Sequence, residues 1–460
     1  MIALPTYQGR TVAVLGLART GAAAVRALHA AGANVIAWDD NEDRRNEHAG
    51  AGVQLTNLNQ CHFDNVDALV LSPGVPFTHP EPHVTVKNAQ AAGVPVIGDV
   101  ELFTTSKPAA KVVGITGTNG KSTTTALLGY LLDAAGHPVE VGGNIGRPVL
   151  DFPSLPGGGA YVVELSSYQI DLAPSLVCNV AVLINISSDH LDRHGDMAGY
   201  VAVKRRIFNG QHGANAAVVG VDDDQSRATY EWLKGQGHAN LIPIAVGQSL
   251  DHGVCVIDGV LHDRIADTDD TVALDGIKTL RGAHNWQNVA AAYAAARCLG
   301  LDRDQIAAVL PGFPGLAHRA ESLTVIGGVE YVNDSKATNA EAAARALATF
   351  DDIYWIAGGR AKDGGYAALD PVLNHVRHAY LIGEAAPDLA KALAGKVETT
   401  QSDTLGSAVA AATQAAQSAG EGIVLLSPAC ASFDQFQDYA ARGDAFRALV
   451  AGLEQTGGAA

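Results

Sequence analysis

The sequence predicts an α/β protein of three domains built on mostly parallel sheets. Short apolar runs alternate with alanine-rich helical patterns from one end to the other, the pattern of strands joined by crossover helices. A chain of 460 residues accommodates about three domains. Two breaks divide it: Thr104-Thr105-Ser106-Lys107-Pro108, and Pro311-Gly312-Phe313-Pro314-Gly315, which is dense in the residues that interrupt regular structure. The expected domains are 1–107, 108–314 and 315–460.

Strands are expected at 11–15, 34–38 and 68–71 in the first domain, at 111–115, 160–164 and 180–186 in the second, and at 353–357, 378–382 and 422–426 in the third. Hydrophobic content of 47% and charged content of 17% describe an ordinary globular protein. No run reads as a transmembrane segment, and the N-terminus lacks the basic flank and cleavage region of a signal peptide, so a cytoplasmic protein with no membrane association is expected. A monomer is expected as well. The net charge of −17 argues against a nucleic-acid partner, yet it leaves room for small phosphorylated ligands held by a few local cations. Five scattered cysteines without Cys-x-x-Cys spacing indicate neither a disulfide framework nor a zinc site.

The strand 11–15 ends in Gly16-Leu17-Ala18-Arg19-Thr20-Gly21 and an alanine-rich helix, as a Rossmann-like dinucleotide fold begins. Asp39-Asp40 after the next strand is a candidate ribose-binding acid. Because Gly-x-Gly-x-x-Gly is absent, another phosphate-containing ligand fits equally well, and purely structural glycines remain open. Ser72-Pro73-Gly74 after 68–71 either turns amides toward a ligand or is simply a turn.

The most informative stretch is Gly114-Ile115-Thr116-Gly117-Thr118-Asn119-Gly120-Lys121-Ser122-Thr123, between an apolar strand and a helical pattern. Glycines let backbone amides converge on phosphate oxygens, and a helix N-terminus adds positive potential. Lys121 would reach the terminal phosphates of ATP, and Ser122 or Thr123 would hold Mg²⁺. The common spacing is altered: Ile115 stands where its first glycine belongs, and glycines recur at every third position. Glu164 closes 160–164, and Asp189-His190 and Asp192-Arg193 follow 180–186. Beside a triphosphate, Glu164 and His190 are candidate Mg²⁺ ligands; without one they are a strand-end carboxylate and a capping residue. Lys204-Arg205-Arg206 reads as the solvated charged face of a helix. His284-Asn285-Trp286-Gln287-Asn288 opens another helix, where the asparagines either read a base edge or cap.

In the third domain, Asn333-Asp334-Ser335-Lys336-Ala337-Thr338, Gly358-Gly359-Arg360-Ala361-Lys362 and Ser427-Pro428-Ala429-Cys430-Ala431-Ser432 all follow strand runs. Lys, Ser and Thr at three strand ends make a pocket for a second, anionic substrate plausible. Cys430 has no His near it in sequence and is a poor nucleophile candidate.

Gly-Thr-Asn-Gly-Lys-Ser-Thr at 117–123, Glu164-Leu165-Ser166-Ser167, Asp189-His190-Leu191-Asp192-Arg193, His284-Asn285-x-x-Asn288, His318-Arg319 and Asn333–Thr338 together, in this order, resemble the Mur ligase family of peptidoglycan synthesis. The resemblance spans the chain. It implies a Rossmann-like first domain that binds a UDP-sugar, a central ATPase-type domain of P-loop character, and a Rossmann-like C-terminal domain that binds an amino acid. Within the family, the entry Gly16-x-x-x-x-Gly21 and the ending Leu426-Ser427-Pro428-Ala429-Cys430-Ala431-Ser432-Phe433-Asp434-Gln435-Phe436 look most like the members that add D-glutamate, which implies ATP-dependent ligation of D-glutamate to UDP-N-acetylmuramoyl-L-alanine through an acyl phosphate, with two Mg²⁺.

By the same resemblance, Gly117, Thr118, Asn119, Gly120, Lys121, Ser122 and Thr123 cradle ATP, with Lys121 on the transferring phosphoryl group. Asn285 and Asn288 contact adenine, while His318, Arg319 and Asp334 serve the rest of the nucleotide. Ser122 and Glu164 hold one metal, and His190 with Lys204, as a carbamate, the other. Arg19, Thr20, Ser72, Gly74, Asn144, Ser166 and Gln169 fall around the UDP-sugar substrate. Lys336, Thr338, Lys362, Ser432 and Tyr439 fall around the incoming glutamate. Three positions depart from the family pattern: Arg360 where an acid is often found, Tyr439 where a Phe is common, and Asp40-Asn41 after the second strand.

Other readings are a sister Mur enzyme or a folylpolyglutamate-type ligase, an NAD-dependent oxidoreductase, and a non-catalytic nucleotide-binding regulator. The oxidoreductase lacks its glycine motif and leaves Lys121 unexplained, the folate enzyme does not need the first domain, and a regulator does not need three substrate-type pockets.

Overall fold

The computed structural model describes residues 1–48, 53–266, 268–362 and 364–457. The chain divides into two compact units, residues 1–275 with 285–312, and residues 276–284 with 313–457.

The first unit holds two sheets. Strands β1 (Thr11–Leu15), β2 (Asn34–Trp38), β3 (Gln54–Leu55), β4 (Ala68–Leu71) and β5 (Val96–Ile97) form a parallel sheet in the order β3-β2-β1-β4-β5. Strand order reverses beside β1, the point at which open α/β sheets leave a crevice beyond their carboxyl ends. Leu15 lies opposite Leu71, so Gly16 and Ser72 leave the sheet side by side at that crevice.

The second sheet comprises β6 (Lys111–Thr116), β7 (Val139–Gly143), β8 (Ala160–Glu164), β9 (Val180–Leu183), β10 (Ala216–Gly220), β11 (Leu241–Val246), β12 (Gly253–Ile257), β13 (Val260–Arg264) and β14 (Asp270–Ala273), in the order β14-β13-β12-β11-β10-β9-β6-β8-β7. Only β12–β14 run antiparallel, at one edge. Polar residues in β13 and β14, and the exposure of β14, explain why no apolar run announced those two; β12 is apolar and buried, yet it is not among the strands expected. Ile115 pairs with Glu164 and Thr116 with Leu183, so the glycine loop, Glu164 and the segment after β9 emerge together. The two sheets share one core: Phe103 meets Tyr161 edge-on at 5.2 Å, and Phe152 stacks on Tyr161 at 5.6 Å.

The expected strand 180–186 ends early, at Leu183. Ile184 still donates to the Thr116 carbonyl at the end of β6, but Asn185 and Ile186 turn their polar groups to the glycine loop and to Asp223.

The second unit holds β15 (Glu321–Ile326), β16 (Val329–Asn333), β17 (Ile353–Gly358), β18 (Val376–Ile382), β19 (Thr399–Asp403) and β20 (Gly422–Leu426), in the order β15-β16-β20-β17-β18-β19. All pairs are parallel except β15 with β16. Asn333 and Ile356 both pair with Leu426, which brings the ends of β16, β17 and β20 to one edge. Among the described residues, no helix is long and apolar enough to cross a membrane.

Gly21, in the first turn of helix Arg19–Ala30, is a close-approach position: a Cβ there would stand 1.7 Å from the Gly16 carbonyl oxygen. Gly21→Ala is therefore expected to destabilise the first unit by about 2 kcal/mol and lower its melting temperature by several degrees, because backbone cannot yield as a side chain can. A variant melting with the wild type would show that helix and loop separate freely.

Candidate active site

The crevice beyond β1 and β4 is a cavity of about 450 Å³ lined by Arg19, Thr20, Ser72, Gly74, Asn144 and Gln169, together with Asp39, Asp40 and Arg44. These include six of the seven residues expected around the UDP-sugar substrate. Ser72 Oγ donates to the Gly16 carbonyl at 2.8 Å, locking the two strand-end loops together. The seventh, Ser166, caps helix Ser167–Asp171: it accepts from the Gln169 amide, and Gln169 Oε1 accepts from the Ser166 amide, a capping box.

The acid pair behaves differently from a ribose ligand. Asp39 is buried and accepts from the backbone amides of Leu17 at 2.6 Å and Asn41 at 2.9 Å, so it buttresses the loop. Burial pushes the Asp40 carboxyl up, but hydrogen bonds from Asn59, His83 and Trp38 outweigh it and hold it below the usual carboxylate range. Arg193 donates to the carbonyls of Val75 at 2.9 Å and Gly74 at 3.2 Å while lying over the Tyr168 ring at 4.5 Å. It ties the segment after β9 to the cavity's rim, a role its motif did not disclose.

Helix Lys121–Ala134 starts directly after the glycine loop, so the positive end of its dipole lies there. Gly120 adopts φ +84°, and a Cβ on it would meet Asn288 Oδ1 at 2.0 Å. Only glycine fits this left-handed turn against that amide. Asn288 also accepts from Thr124 Oγ1 and donates to Asn285 Oδ1, so both asparagines lie buried under the loop, in helix Ala283–Cys298. The amides of Thr118 and Asn119 donate to the Asn185 carbonyl and Oδ1, each at 2.9 Å. Thr118 Oγ1 is engaged with Ser187 and with Tyr200, whose phenol burial pushes up to about 12. Asn185 is the loop's main anchor, and nothing in its local sequence marks it. Ser122 is buried and Thr123 half-buried in the helix's first turn.

Two lysines converge on this loop. Lys121 Nζ donates to the carbonyls of Gly117 at 2.8 Å and Thr118 at 2.9 Å. Lys204 Nζ donates to the same Gly117 carbonyl at 2.9 Å and to Thr116 Oγ1 at 3.2 Å. The solvated-face reading of 204–206 is thus corrected at its first residue: helix Met197–Arg205 turns Lys204 inward, where it is 1% exposed beneath the Tyr200 ring. Burial, then the Lys121 charge, holds its pKa well below the usual lysine range.

Glu164 is 2% exposed. Its Oε1 accepts from Asn144 Nδ2 at 2.7 Å, while Oε2 is buried without a hydrogen-bond partner. A carboxylate oxygen left unpaired at the end of the strand beside the loop fits a divalent cation. His190 adopts φ +52°, half exposed, 3.4 Å from Asp189. Among the described residues no three His, Cys, Asp or Glu gather into a complete metal set.

The second unit carries its own cluster. Asp334 accepts from Ser427 Oγ at 2.8 Å and from the Ala320 amide at 3.1 Å; burial pushes its carboxyl up to about 7. His318, at φ +62°, accepts through Nδ1 from Asn333 Nδ2 at 3.1 Å, and burial then the Arg447 charge lower its pKa. Its neighbour Arg319 is half-buried. Lys336 Nζ lies 3.7 Å over the Tyr439 ring, and Lys362 donates to Thr338 Oγ1 at 3.4 Å. Ser432 is buried at the end of the third loop. Arg360 turns away to pair with exposed Glu384 at 3.1 Å. Burial raises the Cys430 thiol, which rules against a thiolate nucleophile.

Residues 10–98 match the Mur ligase MurD-like N-terminal domain, residues 115–296 the Mur ligase middle domain, and residues 318–430 the Mur ligase glutamate ligase domain. The UDP-N-acetylmuramoylalanine–D-glutamate ligase of Phenylobacterium zucineum (strain HLK1) is 49% identical over 458 residues, covering 98% of each chain. That of Caulobacter vibrioides (strain NA1000 / CB15N) is 50% identical over 471 residues, covering 100% of this chain and 99% of its own. Among solved structures, the MurC UDP-N-acetylmuramate–alanine ligase of Thermotoga maritima has a TM-score of 0.57 at 16% identity, covering 97% of this chain and 99% of its own. A type C pseudomurein peptide ligase of Methanothermus fervidus has 0.57 at 18%, covering 97% and 100%. At these identities the structures speak to the fold.

His194 supplies a pH test of the site's packing. It is buried between Tyr168 and Tyr200, shares a 2.9 Å hydrogen bond with Ser167 Oγ, and burial, then the charge of His190, pushes its pKa down to about 4. The unfolded chain binds this proton near pH 6.5, so the stability His194 contributes is present above that pH and lost as pH falls toward 4. Replacing it with Gln should shrink the stability lost between pH 7 and pH 5 by about 1 kcal/mol in urea titrations. Equal losses in both proteins would contradict a buried neutral imidazole.

Proposed function

The chain belongs to the Mur ligase family, and from that membership we propose that it joins D-glutamate to UDP-N-acetylmuramoyl-L-alanine in peptidoglycan precursor synthesis, driven by ATP. It is an ATP-dependent amide-forming ligase of three Mur domains, whose boundaries we set at 1–107, 108–314 and 315–460. The observation that carries the reading is the juxtaposition of a glycine-loop lysine, a buried second lysine on the same loop carbonyl, and a strand-end carboxylate with an unsatisfied oxygen. These are the groups that gathering a triphosphate, a metal and a reacting carboxylate requires.

The alanyl carboxylate oxygen attacks the γ-phosphorus of ATP and ADP leaves, giving an acyl phosphate. The glutamate nitrogen then attacks the acyl carbon, loses a proton, and phosphate departs from the tetrahedral species. Lys121 stabilises the charge on the transferring phosphoryl group, and the helix N-terminus supports it. Gly117–Thr123 surround the phosphates, with Asn285, Asn288, His318, Arg319 and Asp334 serving the nucleotide. Ser122 and Glu164 would hold one Mg²⁺, His190 and Lys204 a second. When bound, Mg²⁺ neutralises phosphate oxygens and lets two anions approach. Lys204 can join such a set only as an anion. Its depressed pKa makes the neutral amine available, and addition of that amine to CO₂ with loss of a proton yields the carbamate.

Arg19, Thr20, Ser72, Gly74, Asn144 and Gln169 orient the UDP-sugar substrate, with Ser166 fixing Gln169 from its cap position. Lys336, Thr338, Lys362, Ser432 and Tyr439 receive the glutamate carboxylates. We expect a monomer acting in the cytoplasm on these small molecules, and so contributing to cell-wall biogenesis, cell shape and division.

Phosphate release measured with UDP-N-acetylmuramoyl-L-alanine should require an amino acid and prefer D-glutamate over L-glutamate and other amino acids. Release without an amino acid, or at equal rates with all of them, would sink the assignment. Lys204→Ala should lose on the order of 10²-fold or more in kcat, the scale of a lost transition-state stabiliser, and recover partly with short carboxylates that replace the carbamate. Unchanged activity would remove Lys204 from the site.

A further inference from the structure

The three loops of the second unit that carry Lys336, Lys362 and Ser432 are collected by one buried side chain that no motif marked. Arg442, in helix Tyr439–Gly457, is 1% exposed. Its Nε donates to Ser335 Oγ at 3.0 Å. Nη1 donates to the carbonyls of Gly358 at 3.3 Å and Cys430 at 3.2 Å, and Nη2 to those of Ser335 at 2.9 Å and Cys430 at 3.2 Å. All five N–H groups of the fork are used, on the last residue of β17 and on residues in the loops after β16 and β20. Ser335 Oγ in turn donates to the Tyr439 carbonyl at 2.8 Å, which ties the helix start, and the ring under Lys336, to the same network.

Burying a guanidinium costs several kcal/mol unless its charge is met. Here, among the described residues, no carboxylate stands within ion-pair distance of Arg442; its hydrogen bonds all go to carbonyl and hydroxyl oxygens, and Asp434 and Asp334 act on its charge only from farther away. An apolar side chain would fill the space more cheaply but could not hold three independent loop carbonyls in one plane. Lysine could not either, as it presents three donors from a point instead of five from a fixed fork.

We propose that Arg442 is the positioning residue of the incoming amino acid's site, holding the loops after β16, β17 and β20 in the register that lets Lys336, Thr338, Lys362 and Ser432 act on one dicarboxylate. The proposal rests on the reading of this unit as the amino-acid-binding part of the ligase. Arg442 touches no substrate in this account; it acts through the loops.

The test is steady-state kinetics of the full-length protein with ATP, UDP-N-acetylmuramoyl-L-alanine and D-glutamate varied in turn, alongside melting temperatures, for Arg442→Lys, Arg442→Met and Ser335→Ala. Loss of charge-assisted positioning bonds should raise the KM for D-glutamate by about tenfold or more in both Arg442 variants, with the KM values for the other two substrates within about threefold of wild type. Ser335→Ala, which removes the Nε acceptor and the bond to the Tyr439 carbonyl while leaving the four Nη bonds, should raise the D-glutamate KM by roughly threefold to fivefold. Rises of equal size in all three KM values, an unchanged D-glutamate KM, or Arg442→Lys behaving as wild type would each overturn the proposal. If the Arg442 variants fail to fold, Ser335→Ala decides: an unchanged D-glutamate KM overturns it. Failure of the underlying reading is separate, because the wild-type protein would then show no dependence on D-glutamate at all.

Discussion

Two lysine side chains share a single acceptor, the carbonyl oxygen of Gly117. Most of the first unit's chemistry follows from that crowding. Two ammonium groups at one oxygen repel, and the one shut away from water gives way: burial comes first and the Lys121 charge second in lowering the Lys204 pKa. A lysine so placed is a poor permanent cation and a good candidate for conversion to an anion. Lys121, at the helix start, keeps the position from which a phosphate can be met. Neither could hold its place if the loop were soft. Asn185 takes the amides of Thr118 and Asn119, and Asn288 fills the space under Gly120, so the loop's shape is set before any ligand arrives. Preorganised polar groups of this kind cost no rearrangement at the moment of reaction.

The second unit solves a related problem by other means. The chain as a whole carries a charge of −17, yet a dicarboxylate needs a locally positive reception. Arg442 spreads its charge over three loop carbonyls, with Asp434 and Asp334 acting on it only from beyond ion-pair distance, and Lys336 and Lys362 stand on the loops it holds. Burial pushes the Asp334 carboxyl up to about 7, so the carboxylate beside Ser427 at the end of β20 is only partly charged near neutrality. The unexpected Arg360 does not disturb the arrangement, because its charge goes to Glu384 at the exposed surface, where such a pair contributes little.

What the sequence made legible divides along physical lines. The apolar strands and the strand–glycine–lysine–helix layout are local patterns, and they stand where expected. Strand β9 ended three residues short because Asn185 serves the loop, a long-range demand that periodicity cannot express. The edge strands β13 and β14 escaped because partly polar strands lack an apolar run. Lys204 looked like a solvated charge on composition alone, and only the family resemblance drew attention to it; its burial depends on how helix Met197–Arg205 meets the end of β6. Asn288, balanced between base contact and cap, sits beneath Gly120, a contact across 168 positions of sequence. Arg442, between Ala441 and Gly443 in an otherwise ordinary helix, gave no signal at all.

The central claim is that ATP is used to activate a carboxylate, with the two lysines and Glu164 gathering the charges that must meet. Its most direct test follows an atom. UDP-N-acetylmuramoyl-L-alanine labelled with ¹⁸O in the alanyl carboxylate would be turned over with ATP and D-glutamate, and the released phosphate analysed by mass spectrometry. An acyl phosphate requires one carboxylate oxygen to leave with the phosphoryl group, so the account predicts ¹⁸O in the phosphate formed with each amide bond. Unlabelled phosphate formed at the same rate as product would contradict it.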